Sequence, residues 1–160
     1  MENNEKLLKA QEVYAKVCAM LDSKNWKYDK EESKLKIRCT LHGDDIPVDF
    51  MMKVDPERYI VSYISWMPFH MPEDKRVEGA VAVTVAGYGL VDGSFDYDIN
   101  DGEITFRLTA SYRGGVELTE ELFEYMVYVA TSTVDRYNDK FLMLSKGNMT
   151  LQQFIESEKA

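Results

Sequence analysis

Hydrophobic residues recur every three or four positions near the start of the chain. Between Glu5 and Leu21 this spacing joins Leu7, Leu8, Tyr14, Val17, Cys18 and Leu21. An α-helix has 3.6 residues per turn, so side chains at this spacing share one side of the helix. The pattern predicts an amphipathic helix from Glu5 to Leu21 with one stripe facing a core.

Alternation of apolar and polar residues then replaces the helical spacing. Leu35, Ile37, Cys39 and Leu41 alternate with polar residues, which is typical of a half-buried strand. The same pattern predicts a strand over residues 46–54, with Val48, Phe50, Met52 and Val54 as its buried set. A short strand around Trp26 and Tyr28 precedes these two, and another covers residues 59–66. Because short turns join these strands, the sheet is predicted to be antiparallel.

The segment after these strands mixes loop and helix signals. Two prolines in residues 67–72 predict a loop. Residues 73–89 predict a helix, which glycines and β-branched valines weaken. Asp101-Gly102 is a strong hairpin signal, and it joins predicted strands over 94–99 and 103–112.

The last third of the chain predicts helices. Thr119 fits an N-cap, and the two glutamates that follow it suit the positive end of the helix dipole. A long helix is predicted to about Tyr137, followed by shorter helices over 140–146 and 150–156. The order of elements, α-β-β-β(β)-α-β-β-α, predicts one α+β domain over residues 1–160, with helices packed on an antiparallel sheet.

Charge and composition narrow the range of partners. The 160 residues include 19 Lys and Arg against 28 Asp and Glu, a formal net charge of −9. Phosphate backbones and anionic membrane surfaces repel such a chain, so we expect neither nucleic acid nor membrane as a partner. No signal-like segment opens the sequence, and Cys18 and Cys39 are its only cysteines. These features lead us to expect a cytoplasmic protein with free thiols.

No residue pattern in the sequence points to catalysis, a metal or a cofactor. His42 and His70 fall in separate predicted loops, without other ligands at a metal-binding spacing. Cys18 and Cys39 lie on apolar faces, where cysteine usually packs as a small hydrophobic residue. We therefore predict no catalytic residue, no metal site and no cofactor, and interpret the chain as a binding protein rather than an enzyme.

Large apolar side chains cluster beside the predicted proline-containing loop. They are Trp66, Met67, Phe69 and Met71. One interpretation is a lid over the core, because most large apolar side chains are buried. The other is an exposed patch that binds a partner protein, a role for which Met and aromatic residues are well suited. These four are the candidate protein-binding residues.

An alternative function remains open at this stage. The chain could be a small-ligand binder or an enzyme whose pocket forms between the second helix and the second hairpin. The residues that would meet there are Tyr88, Tyr97, Asp98, Glu103 and Arg107. A sequence cannot reveal a site of this kind, because its residues are distant along the chain.

The second hairpin also resembles a known family. The run from Gly93-Ser94-Phe95 to Asp101-Gly102-Glu103-Ile104 is similar to the "G-x-F … D-G-E-[IV]" core of the YbjN family, described as bacterial sensory transduction regulators. Further similarities to that family are Trp26-Lys27-Tyr28, Met67-Pro68, Val134-Asp135-Arg136-Tyr137 and Lys140-Phe141-Leu142. These motifs extend the resemblance over nearly the whole chain.

The resemblance implies a fold similar to that of type III secretion chaperones. Those chaperones often form homodimers and hold segments of partner proteins on sheet and helix surfaces. The resemblance brings no catalytic residue and no cofactor. We therefore expect a non-catalytic protein-binding module, chaperone-like or regulatory, with a protein partner and a homodimeric form.

Overall fold

Six antiparallel strands and four helices make up the computed structural model, which describes residues 2–159. The helices are α1 (Glu2–Ser23), α2 (Arg76–Gly87), α3 (Glu120–Ser145) and α4 (Leu151–Ser157). The strands are β1 (Tyr28–Glu31), β2 (Lys36–Leu41), β3 (Val48–Asp55), β4 (Ile60–His70), β5 (Ser94–Tyr97) and β6 (Glu103–Ser111). They form one sheet in the order β1-β2-β3-β4-β6-β5, with every neighbouring pair antiparallel. The predicted α+β class and the predicted order of elements are confirmed.

The two faces of the sheet differ because side chains alternate along each strand. One face carries the buried residues, including Ile37, Phe50 and Tyr63, and α1, α2 and α3 pack on it. The hydroxyl groups of Tyr63 and Thr131 of α3 lie 3.0 Å apart across this interface. The opposite face, which we call the open face, carries the alternating half-buried and exposed residues of the same strands.

Helix α3 spans the core and is anchored at both ends. The Thr119 side chain accepts a hydrogen bond from the Leu122 N–H, which confirms the predicted N-cap. Near the other end, the buried ring of Phe141 stacks on Phe154 of α4 at 5.6 Å and meets Phe95 of β5 edge-on at 5.3 Å. The aromatic cluster thereby joins two helices to the outermost strand.

Helix α2 lies close to the sheet because Gly79 has no side chain. A Cβ at this position would lie 2.6 Å from the Tyr97 hydroxyl and 2.7 Å from the Met71 side chain. The Tyr97 hydroxyl donates a hydrogen bond of 2.7 Å to the Arg76 carbonyl, which ties the start of α2 to β5. The glycine that weakens the helix prediction therefore permits the packing of α2.

The predicted loop over residues 67–72 was wrong for its first part. Strand β4 continues to His70, and His70 pairs with Glu103 of β6. The pairing register shifts between Trp66 and His70, and Pro68 falls within this irregularity. Proline is tolerated at such a bulge because the ladder there does not require its missing N–H.

Two helix boundaries also differ from prediction. The predicted helix over 73–89 begins with a 3-10 turn at Glu73–Lys75, and α2 itself ends at Gly87. The predicted break after Tyr137 was wrong, because α3 runs without interruption to Ser145. Asn138 lies in the gap between the two predicted helices, and its buried amide donates to the Ile46 carbonyl at 3.1 Å.

Candidate protein-binding surfaces

The most exposed apolar helix surface is on α2. Val77, Val81 and Thr84 follow one another at intervals of four and three residues, and Tyr88 follows four residues later. This spacing brings Val77, Val81 and Thr84 to one side of the helix. We call this side, together with Tyr88 just after the end of the helix, the outer face of α2. Val77 is 70% exposed, Val81 38% and Tyr88 91%.

The opposite side of α2 is also apolar. Gly79, Ala82, Val83 and Ala86 are buried against the core. Among the twelve residues of α2, only Arg76 and Glu78 are charged, and the Thr84 hydroxyl is bonded to the Ala80 carbonyl at 2.8 Å. A helix on the surface of a globular protein usually has a polar outer side, whereas a helix that is apolar all round is usually buried. The core therefore explains only one of the two apolar sides of α2.

A second apolar surface lies at the centre of the open face. Met51, Ile64 and Trp66 are half-buried there: Met51 of β3 lies opposite Ile64 of β4, and Trp66 is the next residue of β4 on this face. Ile64 lies directly opposite Met51 of β3 and Arg107 of β6. Met51 in turn lies opposite Arg38 of β2. This surface combines an apolar centre with long cationic side chains.

The four candidate protein-binding residues lie in different environments in the structure. Trp66 is on the open face, while Met67 and Met71 are only 4% and 1% exposed and belong to the core. Phe69 is half-buried and packs against the core. The four do not form one patch, because Trp66 and Met67 are consecutive in a strand and so point to opposite faces. For Met67 and Met71 the structure agrees with the interpretation as core residues.

Trp66 also borders a groove, an open depression of about 790 Å³ at one end of β1, β2 and β3. Trp26 lines the same groove, together with Thr40, whose hydroxyl donates to the Asp49 carboxylate. Two tryptophans and several polar groups thus face one recess. Its walls are strand residues and it is open to solvent, which suits a segment of chain lying on a surface.

The alternative pocket between the second helix and the second hairpin does not form from its five predicted residues. The Tyr97 hydroxyl faces α2, whereas Arg107 is on the open face and pairs with Asp96 at 3.1 Å. Asp98 accepts hydrogen bonds from the Asn100 backbone and side chain within the hairpin turn. Tyr88 is almost fully exposed on the outer face of α2. These side chains point to different sides of the molecule.

The cysteines and the acidic residues give no sign of a reactive or metal-binding site. Burial raises the pKa of the Cys18 and Cys39 thiols, which makes both poor nucleophiles. Partial desolvation and the neighbouring Asp139, Asp135 and Asp44 raise the pKa of Asp45. Within residues 2–159, no group of three or more His, Cys, Asp or Glu side chains is arranged to hold a metal ion. No helix in this range is long and apolar enough to cross a membrane.

Sequence analysis missed the outer face of α2, although its signal is present in the sequence. The intervals between Val77, Val81, Thr84 and Tyr88 are helical, and they run beside the buried Gly79, Ala82, Val83 and Ala86. The valines of this segment were considered only as residues that weaken a helix, and their helical spacing was not considered. A test for apolar residues on both sides of the helix would have found this surface.

Comparisons with known proteins identify solved structures with a similar fold. No protein-family model matches the chain, and no curated protein matches it either. Among solved structures, YbjN from E. coli, a proposed transcription regulator, is similar, with a TM-score of 0.58 and 13% identity. That match covers 81% of this chain and 89% of YbjN.

A second similar structure is the HopA1–SchA chaperone–effector complex. Its matching chain has a TM-score of 0.54 and 10% identity, and the match covers 82% of this chain and 97% of that one. Identities this low show the shared fold and not a shared function. The chain has a YbjN-like, type III secretion chaperone-like α+β fold, as the sequence resemblance implies.

Proposed function

We propose that this protein is a non-catalytic protein-binding module, chaperone-like or regulatory, that works as a homodimer in the cytoplasm. The observation that carries the proposal is the apolar outer face of α2. Helix α2 has the composition of a helix that is buried on both sides, yet its own chain covers one side only. A protein surface that covers the other side would remove Val77, Val81 and Tyr88 from water.

A second copy of the chain is the partner that fits the outer face of α2. In a two-fold symmetric dimer the same face contributes from both protomers, so it must be complementary to itself. An apolar stripe without charges meets this condition, because no like charges approach each other. Small residues, Ala80 and Thr84, lie midway along the stripe and allow two helices to approach closely.

The dimer leaves the open face free for a segment of a partner protein. Two similarities support such a role: one structure of this fold is a chaperone–effector complex, and the other is a proposed transcription regulator. From the predicted set, Trp66 remains the candidate contact on the open face, and Phe69 remains a candidate contact that is half-buried against the core. Met67 and Met71 are core residues, so truncating them would test folding rather than binding.

Sedimentation equilibrium tests the dimer directly. We expect the unmodified chain to be a dimer and the V77E/V81E variant to be a monomer, because the substitution places four carboxylates in the apolar contact of the dimer. The matched control is V116E, since Val116 is a comparably exposed apolar residue outside α2. A monomeric wild type, or a V77E/V81E variant that remains dimeric, would contradict this interface.

Partner binding is tested by capture with the tagged chain and its W66A variant. Trp66 is on the open face and does not pack against the core, so W66A is expected to fold normally and to recover less of a specific partner. The fold of the variant is checked by its circular dichroism spectrum. Equal recovery by the two proteins would remove Trp66 from the binding surface.

A further inference from the structure

One row of side chains crosses the middle of the open face. Arg38, Met51, Ile64 and Arg107 are direct cross-strand neighbours on β2, β3, β4 and β6. We call them the central row. Three strand spacings separate its two arginines, a distance of about 14 Å. An apolar pair therefore lies between two guanidinium groups, with half-buried Trp66 beside Ile64 in the next row.

Charges on the open face are sorted by position. The carboxylates lie on the outermost strands or at strand ends: Asp29, Glu31, Asp49, Asp55, Asp96 and Glu103. The cations Arg38, Lys53 and Arg107 lie inside this perimeter, and Lys36 lies at the start of β2. Lys36 and Lys53 are direct cross-strand neighbours, and like charges in this position destabilise a sheet. The interior of the open face is thus locally cationic on a chain with a net charge of −9.

Two of the inner cations form no ion pair within residues 2–159, although Asp29 of β1 lies directly opposite Arg38. Lys36 pairs with Glu31 at 2.6 Å and Arg107 with Asp96 at 3.1 Å. Among the residues that the structure describes, Arg38 and Lys53 have no carboxylate oxygen within 4.0 Å. Both flank Met51, so the apolar centre and the unpaired charges occupy the same place.

We propose that the central row binds an extended segment of a partner protein with an apolar residue between two acidic residues, at positions i, i+2 and i+4. This proposal rests on the protein-binding function proposed above and names the chemistry of the partner. In an extended chain, residues i, i+2 and i+4 point to the same side, and four residues span about 14 Å. That length equals the distance between the two arginines when the segment lies across the strands.

Each position of the segment then has a defined contact. The middle side chain packs on Met51 and Ile64 and reaches Trp66. One carboxylate pairs with Arg38, and the other shares Arg107 with Asp96. A guanidinium group binds a carboxylate with two parallel hydrogen bonds, so each arginine binds one carboxylate. A segment with two acidic residues can therefore bind both arginines.

The acidic perimeter favours a short segment over other anionic partners. A flat anionic membrane or a nucleic acid strand would bring negative charge against the perimeter carboxylates as well as the inner cations. A second copy would bring the same perimeter against itself. A narrow segment crosses the perimeter at only two points, so its acidic residues meet mainly Arg38, Lys53 and Arg107.

The test is selection from a random heptapeptide library displayed on phage, with the intact protein immobilised. We expect enrichment of sequences with Asp or Glu at i and i+4 and an apolar residue at i+2. A selected peptide without tryptophan is then synthesised, and its binding is measured by calorimetry and by the change in Trp66 fluorescence in a W26F background. The R38A and R107A variants are each expected to weaken binding about three- to fivefold, the upper part of the range for exposed ion pairs.

The controls decide between the alternatives. R136A removes an exposed arginine on α3, away from the open face, and should leave binding unchanged. Enrichment of sequences without acidic residues, equal binding by R38A, or binding of anionic phospholipid vesicles that R38A abolishes would each overturn the proposal. The state of the α2 dimer is read separately by sedimentation, so failure here and failure of the proposed homodimer are distinguishable.

Discussion

Helices α2 and α3 both pack on the same face of the sheet, but the exposed side chains on their outer sides differ in the contacts they make within the chain. The exposed aromatic residues of α3 have partners within the chain: the Tyr125 hydroxyl donates to Asp92 at 2.6 Å, and Tyr128 meets Trp26 edge-on at 5.7 Å. By contrast, the exposed Val77 of α2 and Tyr88, which follows the last residue of α2, neither belong to the core nor pack against it. Contacts within one chain therefore involve side chains on both sides of α3 but on only one side of α2.

The ends of the two helices show the same contrast. The Thr119 side chain caps α3, and the Tyr137 hydroxyl and Lys140 ammonium of α3 both donate to Glu158, just after α4. No side chain caps the start of α2. Several side-chain hydrogen bonds therefore hold α3 in place, whereas α2 has one polar tie to the sheet, from Tyr97 to Arg76, and otherwise depends on apolar packing. A surface helix with little polar support and an apolar outer side is one that a partner would stabilise.

The largest expected effect comes from removing the aromatic anchor of α3. F141A should lower the free energy of unfolding by about 3–5 kcal/mol, because it leaves a cavity among Phe95, Tyr137 and Phe154. Urea denaturation measures the change. The matched variant on α2 is V77A, expected to change the monomer by less than about 0.5 kcal/mol. Similar decreases in the free energy of unfolding for F141A and V77A would contradict the proposed difference between α3 and α2.

A smaller effect is expected where α2 meets the sheet. G79A would place a methyl group against Tyr97 and Met71, and it should destabilise the protein by about 1–2 kcal/mol despite the better helix propensity of alanine. G87A is the control, since a Cβ there meets nothing within 4 Å and should stabilise α2 by up to about 1 kcal/mol. Thermal unfolding that shifts in the same direction for both would show that α2 is not closely packed.

The smallest expected effect concerns the polar anchor of α3. Burial by itself raises the pKa of Glu158, but hydrogen bonds from Lys140 and Tyr137 outweigh it and hold the pKa below the ordinary value of 4.5. A lowered pKa stabilises the folded state above the unfolded-state value, and this stabilisation is lost as the pH falls through the folded-state value. We expect E158Q to cost about 0.5–1.5 kcal/mol at pH 7, the usual net contribution of an intramolecular hydrogen bond.

The pH profile separates this charge effect from a change in packing. Stability of E158Q and of the wild type, measured by urea denaturation from pH 7 to pH 3, should converge below pH 4.5. E156Q is the control, because Glu156 is exposed and pairs with Lys159 at the surface. A constant difference between E158Q and the wild type across this range would assign the loss to packing instead.

Local patterns predicted most elements because they depend on neighbours in sequence. Alternation predicted β2 and β3, and the Asp-Gly turn predicted the second hairpin. Prediction failed where a distant contact overrode a local signal. Asn138 reads as a helix end, but the Ile46 carbonyl satisfies its buried amide and α3 continues. Residues after Trp66 read as a loop, but pairing of His70 with Glu103 extends β4.

The candidate surfaces were less predictable than the fold. Trp66 and Met67 are adjacent in sequence and equally apolar, yet one is on the open face and the other in the core. The alternation of a strand requires this separation, but the sequence analysis had assigned Met67 to a loop. Arg38, Met51, Ile64 and Arg107 are spread over four strands, so their common row depends on pairing registers that no single segment contains.

By itself, the sequence determined the α+β class, the order of helices and strands, the acidic net charge and the resemblance to the YbjN family. These properties follow from composition and from periodic patterns within single elements. Only the tertiary structure decided which apolar residues stay outside the core and which charges meet on one face. The reason is physical: burial and charge pairing depend on distances between elements, and chain folding brings together residues that are far apart in sequence.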